Sequence, residues 1–315
     1  MSGWLKRLLR QDKQSGDQVL GISLAPERAL WCLLQQSDAG QQVTQSFSLQ
    51  QSFASPAAAL KALLAAAPPP QAPLHICLGH QYYNLLLVDA PDVPDAELRE
   101  AVRWKVKDLI TQPVENMVLD AFRLPQDAYR GRMNMLYVAV AERDLIQRLV
   151  DECHRADLLL QEITINELAL TALAGVIPEL QEQGAAFLYL NGEGGTINLV
   201  EQGALYLTRT IELAAGTGVF SGNLDFQQDP VDNLALDVQR SLDYYESQVG
   251  KSGITRLYLV TDAPEQEAWC DELSGRLPIK AEPLAESALA MTADTDLSQG
   301  ALAPALGAAL GGWRE

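Results

Sequence analysis

The run with the clearest capacity for chemistry is Asn191-Gly192-Glu193-Gly194-Gly195-Thr196, set between two stretches of strand-like sequence. Glycines there let backbone amides approach an anion closely, which is how many phosphate cradles are built. A hairpin turn uses glycine just as readily, so the run by itself reads as a tight turn. His75, Cys77 and His80 form a second group. A strand over residues 75–77 puts His75 and Cys77 on one face, but His80 lies beyond Gly79 and no fourth ligand follows. Buried strand positions are the simpler reading, and no metal is assigned. Cys153 stands beside His154 on helical sequence with no third group to orient the histidine, so no nucleophilic arrangement can be drawn. Neither a P-loop nor a dinucleotide fingerprint is present.

A third group rides on a helix predicted over residues 95–110. Leu98, Ala101, Val102, Val106 and Leu109 fall on one face of it, and Glu100, Arg103, Trp104 and Lys107 on the other. An outward tryptophan beside arginine is a contact candidate, since these types are enriched in binding hot spots. The alternative is a Trp104 packed on a neighbouring strand pair, predicted over residues 74–78 and 82–88 around Gly79.

The elements that must position these groups alternate along the chain. Strands are predicted over residues 18–23, 29–35 and 42–48. A helix over 55–67 follows, capped by Ser55 with Pro56 at its first position and ended by Pro68, Pro69 and Pro70. Strands over 116–124 and 134–141 and a helix over 142–155 close the first half. The second half opens with strands over 185–191, 196–200 and 204–213. It continues with an amphipathic helix over 232–249, a strand over 254–261, a helix over 265–277, a short strand over 279–281 and a small-residue helix over 304–310. Strands and helices alternating in two halves give an α/β class.

Composition narrows the function. The chain has 315 residues, a net charge of -18, 48% hydrophobic residues and four scattered cysteines. Such a length supports two or so compact units. No apolar stretch approaches the roughly 18 to 20 residues of a spanning helix, and no secretory leader is read at the start, so a cytoplasmic protein with reduced thiols is expected. The acidic balance excludes nucleic acid as a partner. The charge is uneven: Lys6, Arg7, Arg10 and Lys13 against Asp12 give residues 1–13 a balance of +3, so the rest, -18 less +3, carries -21. Trp4, Leu5, Leu8 and Leu9 fall on one side of a short helical wheel flanked by Lys6, Arg7 and Arg10. That pattern suits weak, reversible contact with an anionic membrane, and equally a frayed terminus.

Two stretches raise a resemblance. Glu97-Leu98-Arg99-Glu100-Ala101-Val102-Arg103-Trp104, leading to Pro113 and Leu119-Asp120, resembles the PilM family of type IV pilus assembly proteins where a helix with an Arg-Trp pair precedes an Ile-Pro-Phe-Pro turn. The run Leu236-Asp237-Val238-Gln239-Arg240-Ser241-Leu242-Asp243-Tyr244-Tyr245 is similar to that family's second signature helix. The basic Trp-Leu tip and the length resemble the branch serving the mannose-sensitive haemagglutinin (MSHA) pilus. The resemblance implies an actin-like two-domain fold of ribonuclease-H-like sheets, with an inserted subdomain placed as in FtsA; the insertion the family usually carries in the second domain is reduced here, because too few residues separate Leu213 from the helix at Leu234 to hold it. The implied layout is a tip and linker at 1–17, a first domain at 18–71 and 158–184 completed by a helix at 301–312, an insertion at 72–157, and a second domain at 185–300. It also implies binding of the cytosolic N-terminal tail of a PilN-like inner-membrane protein, with Arg103, Trp104 and Lys107 as the contact surface and peripheral membrane contact through the tip.

Departures from the family pattern fall on its nucleotide loops. The first loop reads Gly21-Ile22-Ser23-Leu24-Ala25-Pro26, without the family's acid. The second keeps Gly192, Gly194, Gly195 and Thr196 but starts with Asn191 in place of an acid. Magnesium wants carboxylate oxygens or waters held by them. The third replaces a glycine run by Thr261-Asp262-Ala263-Pro264-Glu265. A non-catalytic scaffold without a cofactor is therefore expected. The alternatives are an ATP-binding switch using Gly21, Ser23, Asn191, Gly192, Gly194, Gly195 and Thr196 with magnesium, or a cytoplasmic component of type II secretion.

Overall fold

A computed structural model describes residues 17–37, 40–129, 134–177, 180, 183–191, 194–212, 230–250, 253–263, 266–284 and 299–313. The tip residues Trp4, Leu5, Lys6, Arg7, Leu8 and Arg10 lie outside the described residues, as do Gly192 and Glu193.

The first half builds a five-stranded sheet. Strands β1 (Gln18–Leu24), β2 (Arg28–Ser37) and β3 (Gly40–Gln50) form an antiparallel meander. Helix α1 (Pro56–Ala66) then returns the chain to β4 (Pro73–Leu78), parallel to β1. Ser55 caps α1 by accepting from the Ala58 amide at 3.2 Å, with Pro56 at the first turn. β4 in turn pairs in parallel with β8 (Leu159–Ile165), giving the order β3-β2-β1-β4-β8.

Between β4 and β8 the chain detours through a separate three-stranded antiparallel sheet. Its strands are β5 (Asn84–Asp89), β6 (Met117–Arg123) and β7 (Met135–Glu142) in the order β5-β7-β6, and α2 (Asp95–Val106) covers one face. Helix α3 (Arg143–Arg155) then lies beside α1 on the first sheet. Two expectations are corrected here. The strands around Gly79 do not pair with each other: β4 joins the first sheet and β5 the inserted one. The inserted sheet accordingly begins after β4, not at residue 72, because β4 carries hydrogen bonds to both β1 and β8.

The second half repeats the first sheet's plan. Helix α4 (Asn166–Ala174) leads to the antiparallel β9 (Ala185–Asn191), β10 (Gly194–Glu201) and β11 (Ala204–Glu212). Next come α5 (Pro230–Gln248), β12 (Arg256–Thr261), α6 (Gln266–Arg276), β13 (Lys280–Pro283) and α7 (Gln299–Trp313). The order β11-β10-β9-β12-β13 has the same mixture of antiparallel and parallel pairs.

Strand side chains explain the layering. On β9, Ala186, Leu188 and Leu190 face α5 and α6, while Phe187 and Tyr189 join a core with α4 and α7. On β2, Leu30, Cys32 and Leu34 enter that same core, and Trp31 and Leu33 pack under α1. Near-continuous apolar strands are what sheets buried on both faces require. α4 and α7 are thus shared by both sheets and fill the space between them.

Candidate functional site

The space between the two sheets, where the resemblance places a cleft, is occupied by α4 and α7. A β-carbon on Gly21 would stand 2.0 Å from the Ala305 carbonyl oxygen, and one on Gly307 2.2 Å from the Ala169 carbonyl oxygen. At the start of α7, a β-carbon on Gly300 would meet the Thr261 carbonyl at 2.0 Å and the Asp262 amide nitrogen at 2.6 Å. Glycine is needed at each point because the backbones touch. Gly21 is therefore covered by α7, and Ser23, on the same strand, is half-buried.

Polar groups fill the floor. Cys77 at the end of β4 lies 3.2 Å from Asn166 Oδ1, and Tyr83 donates its hydroxyl to Glu167 at 2.5 Å, both acceptors belonging to the first turn of α4. The Asn166 amide donates to the Tyr83 oxygen at 3.3 Å. From the second sheet, Asn198 Nδ2 donates to the Glu167 carbonyl at 2.9 Å and accepts from Thr208 at 2.7 Å. Burial pushes the Glu167 carboxyl upward, against the opposing pull of the Tyr83 hydrogen bond, and raises the Cys77 thiol well above its ordinary range. Buried thiols of this kind are inert.

β9 and β10 pair antiparallel on either side of the glycine run, with Asn191 opposite Gly194. Gly194 has φ 146°, open to glycine but not to side chains, and a β-carbon on Gly195 would stand 1.8 Å from the Tyr189 carbonyl oxygen. Thr196 is fully buried on β10, and its hydroxyl has no hydrogen-bond partner among the described residues. Asn191 hydrogen-bonds Tyr189, whose phenol burial pushes up to about 12. Gly21, Gly195 and Thr196 are buried, and the run's carboxylate, Glu193, lies outside the described residues. Among the described residues, no group of three or more His, Cys, Asp or Glu side chains is gathered as a metal site. His75 and Glu162 pair across β4 and β8 at 3.3 Å, and Cys77 faces α7, so the two residues share a face without sharing a ligand.

Arg28, which sequence reading did not single out, meets Asp262, which it noted only as a departure from a glycine run. Arg28, first residue of β2, forms an ion pair with Asp262, just past β12. The signal available beforehand was Asp262 itself, standing where the PilM resemblance calls for glycine.

The outer side of the inserted sheet is different. α2 ends at Val106, short of the residue 110 expected, so Leu109 leaves the apolar face and is 56% exposed. Trp104 is 76% exposed, which decides for the outward placement over packing on a strand. Lys107 lies 5.9 Å from its ring centroid, a cation-π contact. Arg103 donates to the Val114 carbonyl at 3.1 Å, so it braces the helix against the following loop. Lys105 donates to the Asp89 carbonyl at 3.0 Å. Beside it, an open groove of about 350 Å³ runs along the edge strand β5, lined by Leu87, Val88, Asp89, Lys105, Leu109 and Met135. The groove, like Arg28 and Asp262, depends on packing and left no motif in the sequence.

No family model matches the chain, and no curated protein matches it. Among solved structures, a PilM-PilN type IV pilus biogenesis complex is similar with a TM-score of 0.70 and 19% identity, over 93% of this chain and 96% of that one. The cytoplasmic domain of EpsL, an inner membrane component of the type II secretion system of Vibrio cholerae, gives 0.50 and 16%, over 85% and 90%. A protein of actin-like ATPase fold and unknown function from Bacteroides thetaiotaomicron gives 0.54 and 12%, over 85% and 91%. The fold is therefore actin-like and of PilM type.

Proposed function

We propose that this protein is a non-catalytic scaffold of an inner-membrane pilus assembly platform, one that captures the cytosolic N-terminal tail of a PilN-like membrane protein. On the finer level, the basic tip favours an MshI-like role in an MSHA-type pilus, cytoplasmic and peripheral to the inner membrane. The observation that carries the reading is the contrast between a cleft packed with buried side chains and an open groove beside β5 with Trp104 and Leu109 standing in solvent. The similarity to a structure described as a PilM-PilN complex supports the partner class.

Recognition needs no chemistry here. An extended tail lying along an edge strand can add main-chain hydrogen bonds, while alternate side chains find apolar anchors such as Leu87, Leu109 and Met135. Ordering a flexible tail costs entropy, so a Kd on the order of micromolar is the expected outcome. A tip resting on the membrane would raise the local concentration of a tethered partner.

The test is calorimetric titration of the full chain with synthetic tails of the MSHA inner-membrane proteins, wild type against Trp104→Ala and Leu109→Asp. Binding that weakens in both variants supports the reading, and absence of binding to any tail counts against it. Tails from the type II secretion machinery belong in the same panel, since the EpsL cytoplasmic domain shares the fold. One observation favours the ATP-switch reading: the unpartnered Thr196 hydroxyl beside the glycine hairpin. Titration with magnesium and ATP to millimolar concentration, with Thr196→Ala as control, tests it. Heat that vanishes in the control would revive the switch. For the membrane contact, Leu5→Asp with Leu8→Asp should release the protein from anionic vesicles, and unchanged sedimentation would remove that part.

A further inference from the structure

We propose that Arg28 and Asp262 form a latch that holds the two five-stranded sheets closed against each other at the edge of the seam between them. The two residues are 234 positions apart and belong to different sheets, Arg28 opening β2 of the first and Asp262 following β12 of the second. Asp262 sits in one of the three loops whose sequences depart from the nucleotide-binding pattern, and Arg28 opens the strand two residues past another. The two elements meet in space: one supplies a cation, the other an anion.

The backbone carrying each partner is held in place. The turn ahead of Arg28 is fixed by the Ala25 amide bonding the Arg28 carbonyl at 2.9 Å, and by Gln51 and Phe53 amides bonding the Glu27 and Pro26 carbonyls at 3.1 and 2.7 Å. Asp262 is pinned from behind by Gly300 of α7, whose backbone touches the Thr261–Asp262 peptide, and the Ala263 amide turns back to Thr261 Oγ1 at 3.3 Å. Fixing the two backbones brings the side chains within reach of each other, which lowers the ordering cost of the pair. Both side chains are about a quarter exposed, 26% and 25%, so solvent and ions can reach the pair without dissolving it. Tyr189 lies close enough to feel both charges and completes the wall behind them.

The latch assigns a role to Asp262 that no ligand shares. A nucleotide phosphate approaching Arg28 would have to displace a carboxylate already held against it, and would leave that carboxylate facing the incoming negative charge.

The test is hydrogen exchange of the full chain, comparing wild type, Asp262→Asn, Arg28→Gln and the reversed pair Arg28→Asp with Asp262→Arg. The expected result is exchange about three- to tenfold faster at the cleft ends of β9 and β12 in each single variant, with the inserted sheet unchanged. The reversed pair should recover most of that protection. Folded single variants that exchange at wild-type rates would overturn the latch, as would a folded reversed pair no better protected than the singles. Should the Arg28 variant fail to fold, Asp262→Asn, nearly isosteric and partly exposed, decides alone. Millimolar magnesium-ATP should leave the wild-type pattern unchanged, and accelerated exchange at β12 on adding it would mean that phosphate displaces Asp262, overturning the closed state. Tail binding does not enter this readout, so the latch and the scaffold reading fail separately.

Discussion

In the seam between the two five-stranded sheets, helix α7 approaches its neighbours so closely that Gly21, Gly300 and Gly307 have no room for a methyl group. On the outer side of the inserted sheet, Trp104 of α2 and Leu109 just past its end stand in solvent, and Leu109 lines an open groove beside β5. One region is packed until backbones touch and the other is left exposed to solvent. The difference teaches that a shared architecture does not by itself fix where a surface stays open, so the proposed recognition has to be tested at the exposed insertion rather than assumed at the seam.

The contrast is broken most severely by crowding the seam. Gly307→Ala should cost about 3 kcal/mol, because the added carbon overlaps the Ala169 carbonyl and must push α7 off α4. Denaturant unfolding measures it, and the control Gly275→Ala, a helical glycine of α6 with open space around it, should instead stabilise by about 0.5–1 kcal/mol. Tyr83→Phe is next: it removes the donor to a fully buried Glu167 carboxyl and should cost about 2 kcal/mol by the same measurement.

Asp120, on β6 of the insertion, gives a pH signature. Burial outweighs the favourable Arg99 charge and raises its carboxyl from the ordinary 3.8 to about 6. The folded state thus holds the proton more tightly than the unfolded chain. The associated stability is present below pH 3.8 and is lost as pH rises through about 6, on the order of 2 kcal/mol in all. Asp120→Asn should flatten the stability profile between about pH 4 and 6, and an unchanged slope in thermal melts across that window would contradict the assignment. Trp104→Ala completes the comparison from the other side. Its effect on stability should stay within about 0.5 kcal/mol, as for an exposed position, while tail affinity falls by roughly tenfold or more.

Much of the local architecture was legible because it depends on neighbours in sequence. The Ser55 cap with Pro56 and the apolar rows of α2 and α5 arise from short-range periodicity and capping chemistry. So do the strands on either side of the 191–196 turn, and the structure has them within a few residues. Other features were out of reach for equally physical reasons. Residues 74–78 and 82–88 both read as strands, and nothing local says that the first bonds to β1, far upstream, while the second starts another sheet. Leu109 kept the helical spacing in sequence but fell beyond the end of α2, so periodicity alone misplaced it. Glycine at positions 21 and 195 reads as phosphate-loop chemistry or as close packing with equal ease, and only the distance to another backbone separates the two.

By itself, then, the sequence determined the alternation of strands and helices, the acidic body with its basic tip, and the presence of an Arg-Trp pair on an amphipathic helix. These are consequences of composition and of spacings within a dozen or so residues. The tertiary structure alone decided that α4 and α7 would fill the space between the two sheets, that Arg28 would find Asp262, and that the groove beside β5 would stay open. Each of these depends on groups distant in sequence meeting at contact distance, where steric exclusion and charge pairing act over a few ångströms and leave no periodic trace along the chain.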